Sequence, residues 1–117
     1  MKKLIKISFF GIILAGFFLF FSPSNALASG IDSSENSRNL FEFNCAGCHP
    51  NGSNIIRRGK NLQLKALKRN KLDSVDAIVS FVSLGKNNMP SYKDRLSEEQ
   101  ILEVSHYVLA QAEKGWK

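Results

Sequence analysis

Both cysteines of this chain, Cys45 and Cys48, lie in the stretch "FNCAGCHPNG" (residues 43–52), and one of its only two histidines, His49, follows directly. Two thiols at this spacing can each add to one vinyl group of a haem while the adjacent imidazole ligates the iron from the same face, so the residue order is a geometric requirement. Other chemistries use the same residue types. A C-x-x-C redox pair heads a helix in a βαβ unit, but no alternating, strand-like run is present to build one. A zinc site would have to use Cys45, Cys48, His49 and His106, and the adjacency of Cys48 and His49 does not fit the usual paired ligand spacing. A disulfide would close a very small loop and leave His49 without a role. Haem attachment is the expectation, because it uses all three residues.

Attachment of this kind takes place outside the cytoplasm, and the N-terminus reads as an export signal. Lys2, Lys3 and Lys6 precede the apolar run "FFGIILAGFFLFF", and "SPSNALA" follows, with Ala26 and Ala28 flanking Leu27. A basic end, an apolar core and small residues at a cleavage site predict a secretory signal over residues 1–28 and a single domain over residues 29–117. An uncleaved anchor is the competing reading, and an apolar run of 13 residues is short of the roughly 20 that span a bilayer. A domain of this size buries too little apolar surface for a large core, and a covalently held porphyrin would supply the missing apolar body.

The formal net charge of +6 falls to +3 when the three leader lysines are removed. Between residues 57 and 71 lie Arg57, Arg58, Lys60, Lys65, Lys68, Arg69 and Lys71 with no acidic residue among them. Such a run reads as a solvated face with counter-charges for haem propionates, or else as a docking patch. Nucleic acid is excluded as a partner by export and by the lack of interleaved aromatics.

The elements that must position these groups read as helices. The first covers about residues 34–44, with Leu40 and Phe41 inward. Residues 50–59, with two glycines and several asparagines, read as loop. Leu62, Leu64 and Leu67 suggest a short helix. Ser74 caps another whose stripe is Val75, Ile78, Val79 and Val82 and which Gly85 ends. In "GKNNMPSYKDRLS" sits Met89, the only methionine besides Met1. A methionine in a helix is core filler, but one in a loop and fixed by Pro90 is better explained as a second axial ligand. His/Met ligation closes both axial positions and raises the potential. The final helix starts at Ser97, with Glu98 and Glu99 favoured by the helix dipole. Ile101, Val104, Ser105, Val108 and Ala112 share one face of it, while His106 points nearly opposite and reads as a surface residue. Tyr107 and Trp116 are expected to pack against the first helix and the domain edge.

The stretches "LFEFNCAGCH", "NIIRRGKNL", "SVDAI", "GKNNMP" and "RLSEEQILEVSHYVLAQAEKGW" together resemble the cytochrome c6 family, soluble electron carriers of cyanobacteria and algal chloroplasts, over residues 40–117. The resemblance implies an all-α, small class I cytochrome c fold with about four short helices around one covalent haem c. Carried over by position, Cys45 and Cys48 hold the haem thioethers, His49 and Met89 are the axial ligands, and Lys60 lies near a propionate. Arg95 falls where the family has an arginine that assists docking to photosystem I. The implied activity is one-electron transfer without catalysis, from the cytochrome b6f complex to photosystem I. The carrier would be monomeric, without a membrane span after processing, and located in the thylakoid lumen or periplasm.

The sequence departs from the family in four places. Phe81 stands where the family has a glutamine beside the haem, eight positions before the ligand methionine, and low-potential relatives also lack that glutamine. Hydrogen bonding and dielectric near the ring set potential, so Phe81 supports a second expectation, a low-potential carrier serving a terminal oxidase. Ser37 replaces a glycine at the crossing of the first and last helices. Pro50 follows the ligand histidine, and "YKD" at residues 92–94 replaces an aromatic followed by small residues.

Overall fold

The computed structural model describes residues 33–117; the expected leader and its cleavage site lie outside the described residues. Among the described residues four helices form, α1 (Ser33–Asn44), α2 (Leu64–Arg69), α3 (Val75–Leu84) and α4 (Glu98–Lys114), together with two 3-10 turns at Pro50–Gly52 and Arg58–Lys60. No β-strand occurs among the described residues. No helix there is long and apolar enough to cross a membrane.

The helix ends follow local chemistry. Ser97 Oγ accepts from Gln100 N at 3.1 Å while Gln100 Oε1 accepts from Ser97 N at 3.0 Å, a reciprocal box that satisfies two otherwise orphan donors of α4. Ser74 Oγ accepts from Ala77 N at 3.3 Å to start α3. At the far end of α4, Gly115 turns into the left-handed region and Trp116 N donates to Gln111 O at 2.9 Å, folding the C-terminal tryptophan back over the domain.

Helix α4 is the spine. Its apolar face supplies Ile101, Val104 and Val108 to a core completed by Phe41 of α1 and by Ile78 and Val82 of α3. Ser105 is fully buried on the same face, and its hydroxyl donates to Ile101 O at 2.7 Å, so its burial leaves no polar group unpaired. Ser37 of α1 is also buried, and Asn36 Nδ2 donates to Glu103 Oε2 at 2.8 Å between α1 and α4. His106 is exposed, as its helical phase requires.

Two details differ from the sequence reading. Leu62 does not belong to the short helix, because Asn61 and Gln63 are both extended and α2 begins at Leu64. Instead Leu62 is a crossing point: its N–H donates to Gly52 O at 2.7 Å and its carbonyl accepts from Trp116 Nε1 at 3.0 Å. The segment at 50–59 is more ordered than its glycines and asparagines suggest. Asn54 Oδ1 accepts from the N–H groups of Ile56 and Arg57 at 2.9 and 2.7 Å, and Asn54 Nδ2 donates to Lys60 O at 3.0 Å. A single amide thereby replaces the ladder that this loop lacks.

Trp116 joins the chain end to this loop. Its ring centroid lies 5.0 Å from that of Phe41, and Tyr107 completes the cluster at 5.5 Å from Phe41 and 6.2 Å from Trp116. The indole also passes so close to Gly52 that a Cβ there would lie 2.3 Å from the ring, and Gly52 has φ +70°, so this position requires glycine on both counts. Truncating Trp116 to Ala is expected to lower the unfolding free energy by about 3 kcal/mol, the low end for a large aromatic because the ring is only half-buried. Chemical denaturation of Trp116→Ala beside Trp116→Phe checks this, and the Phe variant should recover most of the loss.

Candidate functional site

Helix α1 does not stop cleanly at Asn44. Phe41 O accepts from both Cys45 N and Ala46 N, at 2.8 and 3.0 Å, and a further turn follows in which Cys45 O accepts from Cys48 N at 3.1 Å and His49 N at 2.9 Å. One turn of chain therefore carries Cys45, Cys48 and His49 at positions i, i+3 and i+4, which share a side of a helical turn. Cys45 is half-buried and Cys48 exposed, and the two are not joined in a disulfide. Burial first, and then the neighbouring Cys48, push the Cys45 thiol up to about 11. A dithiol-redox pair heads a helix of a βαβ unit, and no β-strand occurs among the described residues to build one. The zinc reading also fails on geometry: among the described residues no three cysteine, histidine or acidic side chains converge on a metal-sized point.

His49 is buried and its ring is held in one sense. Nδ1 lies 2.9 Å from Ser53 O, and since a carbonyl only accepts, Nδ1 carries the proton and Nε2 keeps its lone pair. Burial pushes His49 below its ordinary value, against a smaller upward pull from the Ser53 carbonyl, so the imidazole is neutral at physiological pH. The Pro50 carbonyl accepts from both Ser53 N at 3.0 Å and Ser53 Oγ at 2.6 Å, closing the tight turn that brings the Ser53 carbonyl back to the ring.

Met89 arrives from the opposite side of the sequence on a turn of its own. Lys86 N donates to Met89 O at 3.0 Å and Met89 N to Lys86 O at 3.1 Å, with Asn87 in the left-handed region at φ 55°. Gly85 permits the turn: at φ +65°, a Cβ there would lie 2.6 Å from the Met89 carbonyl oxygen and from the backbone of Pro90 and Ser91. The segment is then pinned to the end of α3 by Ser91 Oγ donating to Ser83 O at 2.6 Å and by Tyr92 N donating to Val82 O at 3.0 Å.

Cys45, Cys48, His49 and Met89 all line one cavity of about 240 Å³, whose remaining wall is largely apolar and includes Leu67, Ile78, Phe81 and Val104. This donor set suits a haem: two thiols on one turn, an oriented neutral imidazole, a thioether from a separate loop, and an apolar wall for a porphyrin. Phe81 is half-buried in that wall. Lys60 stands at the rim, exposed, with its Nζ 2.5 Å from Asn70 Oδ1. Arg95 is not part of the lining; it is exposed, and its guanidinium lies 5.7 Å from the centre of the Tyr92 ring. Sequence reading noted Tyr92 only as a departure in the "YKD" stretch. Its ring lines the cavity, and its hydroxyl donates to Asn44 O at 2.8 Å across 48 residues of chain. Only a tertiary bond reveals that partner, and no local signal foretells it.

The family described as cytochrome C oxidase, cbb3-type, subunit III matches residues 33–108. A cytochrome c6-like protein of Nostoc sp. strain PCC 7120 is 54% identical over 100 residues, covering 86% of this chain and 90% of the relative. Cytochrome c6 of the same organism is 40% identical over the full length of both. The crystal structure of cytochrome c6B from Synechococcus sp. WH8102 superposes with a TM-score of 0.68 at 46% identity, over 76% of this chain and 96% of that one.

The Gly85 geometry carries a prediction. Gly85→Ala should destabilise the fold by about 2 kcal/mol, because the contacts are with backbone and no rotamer change can relieve them. Urea denaturation of the two proteins measures the difference, and an unchanged midpoint would contradict the close approach described for residues 85–91.

Proposed function

This chain belongs to the cytochrome c6 family of haem electron carriers, and on that footing we propose that it carries single electrons on one haem c held by Cys45 and Cys48 through thioethers, with His49 and Met89 as axial ligands. The observation that carries this reading is the convergence of an oriented imidazole, a loop-borne thioether and two thiols of one turn on a single apolar cavity. Bound there, a haem would supply a one-electron iron couple, with His49 and Met89 as the side chains that would hold its iron. The chain's own residues do the rest. Ser53 O fixes the His49 tautomer, the Gly85 turn delivers Met89, and the apolar wall excludes water. With no open position the protein works by outer-sphere transfer and not by catalysis on a bound substrate.

The partners that fit are the cytochrome b6f complex as donor and photosystem I as acceptor, met in the thylakoid lumen or periplasm after removal of residues 1–28. Encounters of this kind are brief, small in area and steered by charge. Arg95 and the cations from Arg57 to Lys71, all exposed, are the groups that would orient them. Lys60 would stand near a propionate.

A second reading is favoured by Phe81, an apolar side chain in the cavity wall. In it the carrier has a low potential and serves another acceptor, such as a terminal oxidase. An optical redox titration of the holoprotein separates the two. A midpoint between those of cytochrome f and the photosystem I donor supports the shuttle; a much lower one makes electron transfer from cytochrome f unfavourable and moves the acceptor elsewhere. Phe81→Gln, which restores the glutamine that the low-potential relatives lack, is expected to raise the midpoint by about tens of millivolts through its hydrogen bonding beside the ring. An unchanged midpoint in that variant removes Phe81 as the determinant.

A further inference from the structure

The two halves of the cavity come from segments far apart in sequence, and few polar contacts join them. The segment carrying Met89, residues 85–97, is tied to its own neighbourhood: its turn closes on Lys86, Ser91 reaches back to Ser83, and Tyr92 N to Val82. All of these span ten residues or fewer. Toward the segment that carries Cys45, Cys48 and His49, one hydrogen bond crosses among the described residues, from Tyr92 Oη to Asn44 O at 2.8 Å.

The acceptor and the donor are both well set for this bond. Asn44 is the last residue of α1 and immediately precedes Cys45, so its carbonyl belongs to a helix end, where backbone acceptors lack intrahelical partners. Its own side chain donates to Leu40 O at 2.9 Å, which holds that end in place. The Tyr92 ring is half-buried in the cavity wall, with the Arg95 guanidinium against its outer side. Burial first, and then Cys45, push the phenol upward, outweighing a downward pull from Arg95, so the hydroxyl remains a donor at physiological pH. A phenylalanine would fill the same wall and make no such bond.

We propose that the Tyr92 hydroxyl is a positioning group that clasps the Met89 segment to the end of α1 and thereby keeps Met89 at the site, closing it to external ligands. The inference rests on the reading of Met89 as an axial ligand. An external ligand can bind only in the state where the Met89 segment has swung away. A bond present only in the closed state lowers the population of that open state, and with it the apparent affinity of the intruder.

The test uses the oxidised holoprotein and imidazole as the probe. Wild type must first show the thioether-to-iron absorption band; its absence would overturn the reading of Met89 itself, before any variant is compared. With the band present, Tyr92→Phe is expected to tighten imidazole binding about fivefold, the factor that one net hydrogen bond is worth. Asn36→Ala, which deletes the α1–α4 bond to Glu103 away from the Met89 segment, is expected to lower the denaturation midpoint and leave imidazole affinity unchanged. Equal affinity in wild type and Tyr92→Phe overturns the clasp, as does an equal gain in Asn36→Ala, which would mean that imidazole entry follows global stability and not this contact.

Discussion

Phe41 is the residue on which the rest of the structure converges. Its side chain, 1% exposed, fills the middle of the core between α1, α3 and α4, and its ring is stacked at a tilt by Trp116 and Tyr107. The same ring contributes to the cavity wall. Its carbonyl accepts two N–H groups, from Cys45 and Ala46, where α1 passes into the turn bearing Cys45, Cys48 and His49. Core packing and site geometry are therefore not separable here. A shift of Phe41 would move the two cysteines and the histidine with it, because close-packed interiors transmit displacement instead of absorbing it.

Between the helices, order depends on side-chain amides and a few backbone carbonyls more than on regular structure. Asn54 organises the loop from 56 to 60, Asn61 Nδ2 donates to Arg58 O at 2.6 Å, and Asn70 Nδ2 caps the end of α2 through Ala66 O at 2.7 Å while its Oδ1 accepts from Lys60. No buried side-chain nitrogen or oxygen among the described residues lacks a partner. That economy matters in a small domain, where one unsatisfied buried group costs a sizeable fraction of the net stability.

The basic run from Arg57 to Lys71 occupies the same region. All seven cations are exposed. Two of them serve the loop: Lys60 binds Asn70, and Arg69 Nη2 donates to Gly59 O at 2.9 Å. A hollow lined by Arg57, Arg58, Lys60 and Arg69 lies beside the cavity and shares Arg57 and Lys60 with its rim.

Sequence alone determined the class of the fold, the helix positions to within a residue or two, and the residue types of the site. Those features are local: periodic apolar stripes, a capping serine before Val75 and before Glu98, and two cysteines and a histidine within five positions. It also singled out Met89 in its glycine- and proline-bounded loop, and the structure places that side chain in the cavity wall and against the core. What only the tertiary structure decided are the pairings between segments remote in the chain. Leu62 left its expected helix to bridge Gly52 and Trp116, and Tyr92 found Asn44 48 residues away. Such pairings depend on which helix faces meet and at what distance, a quantity set by the packing of Phe41 against α4 and not by any local propensity.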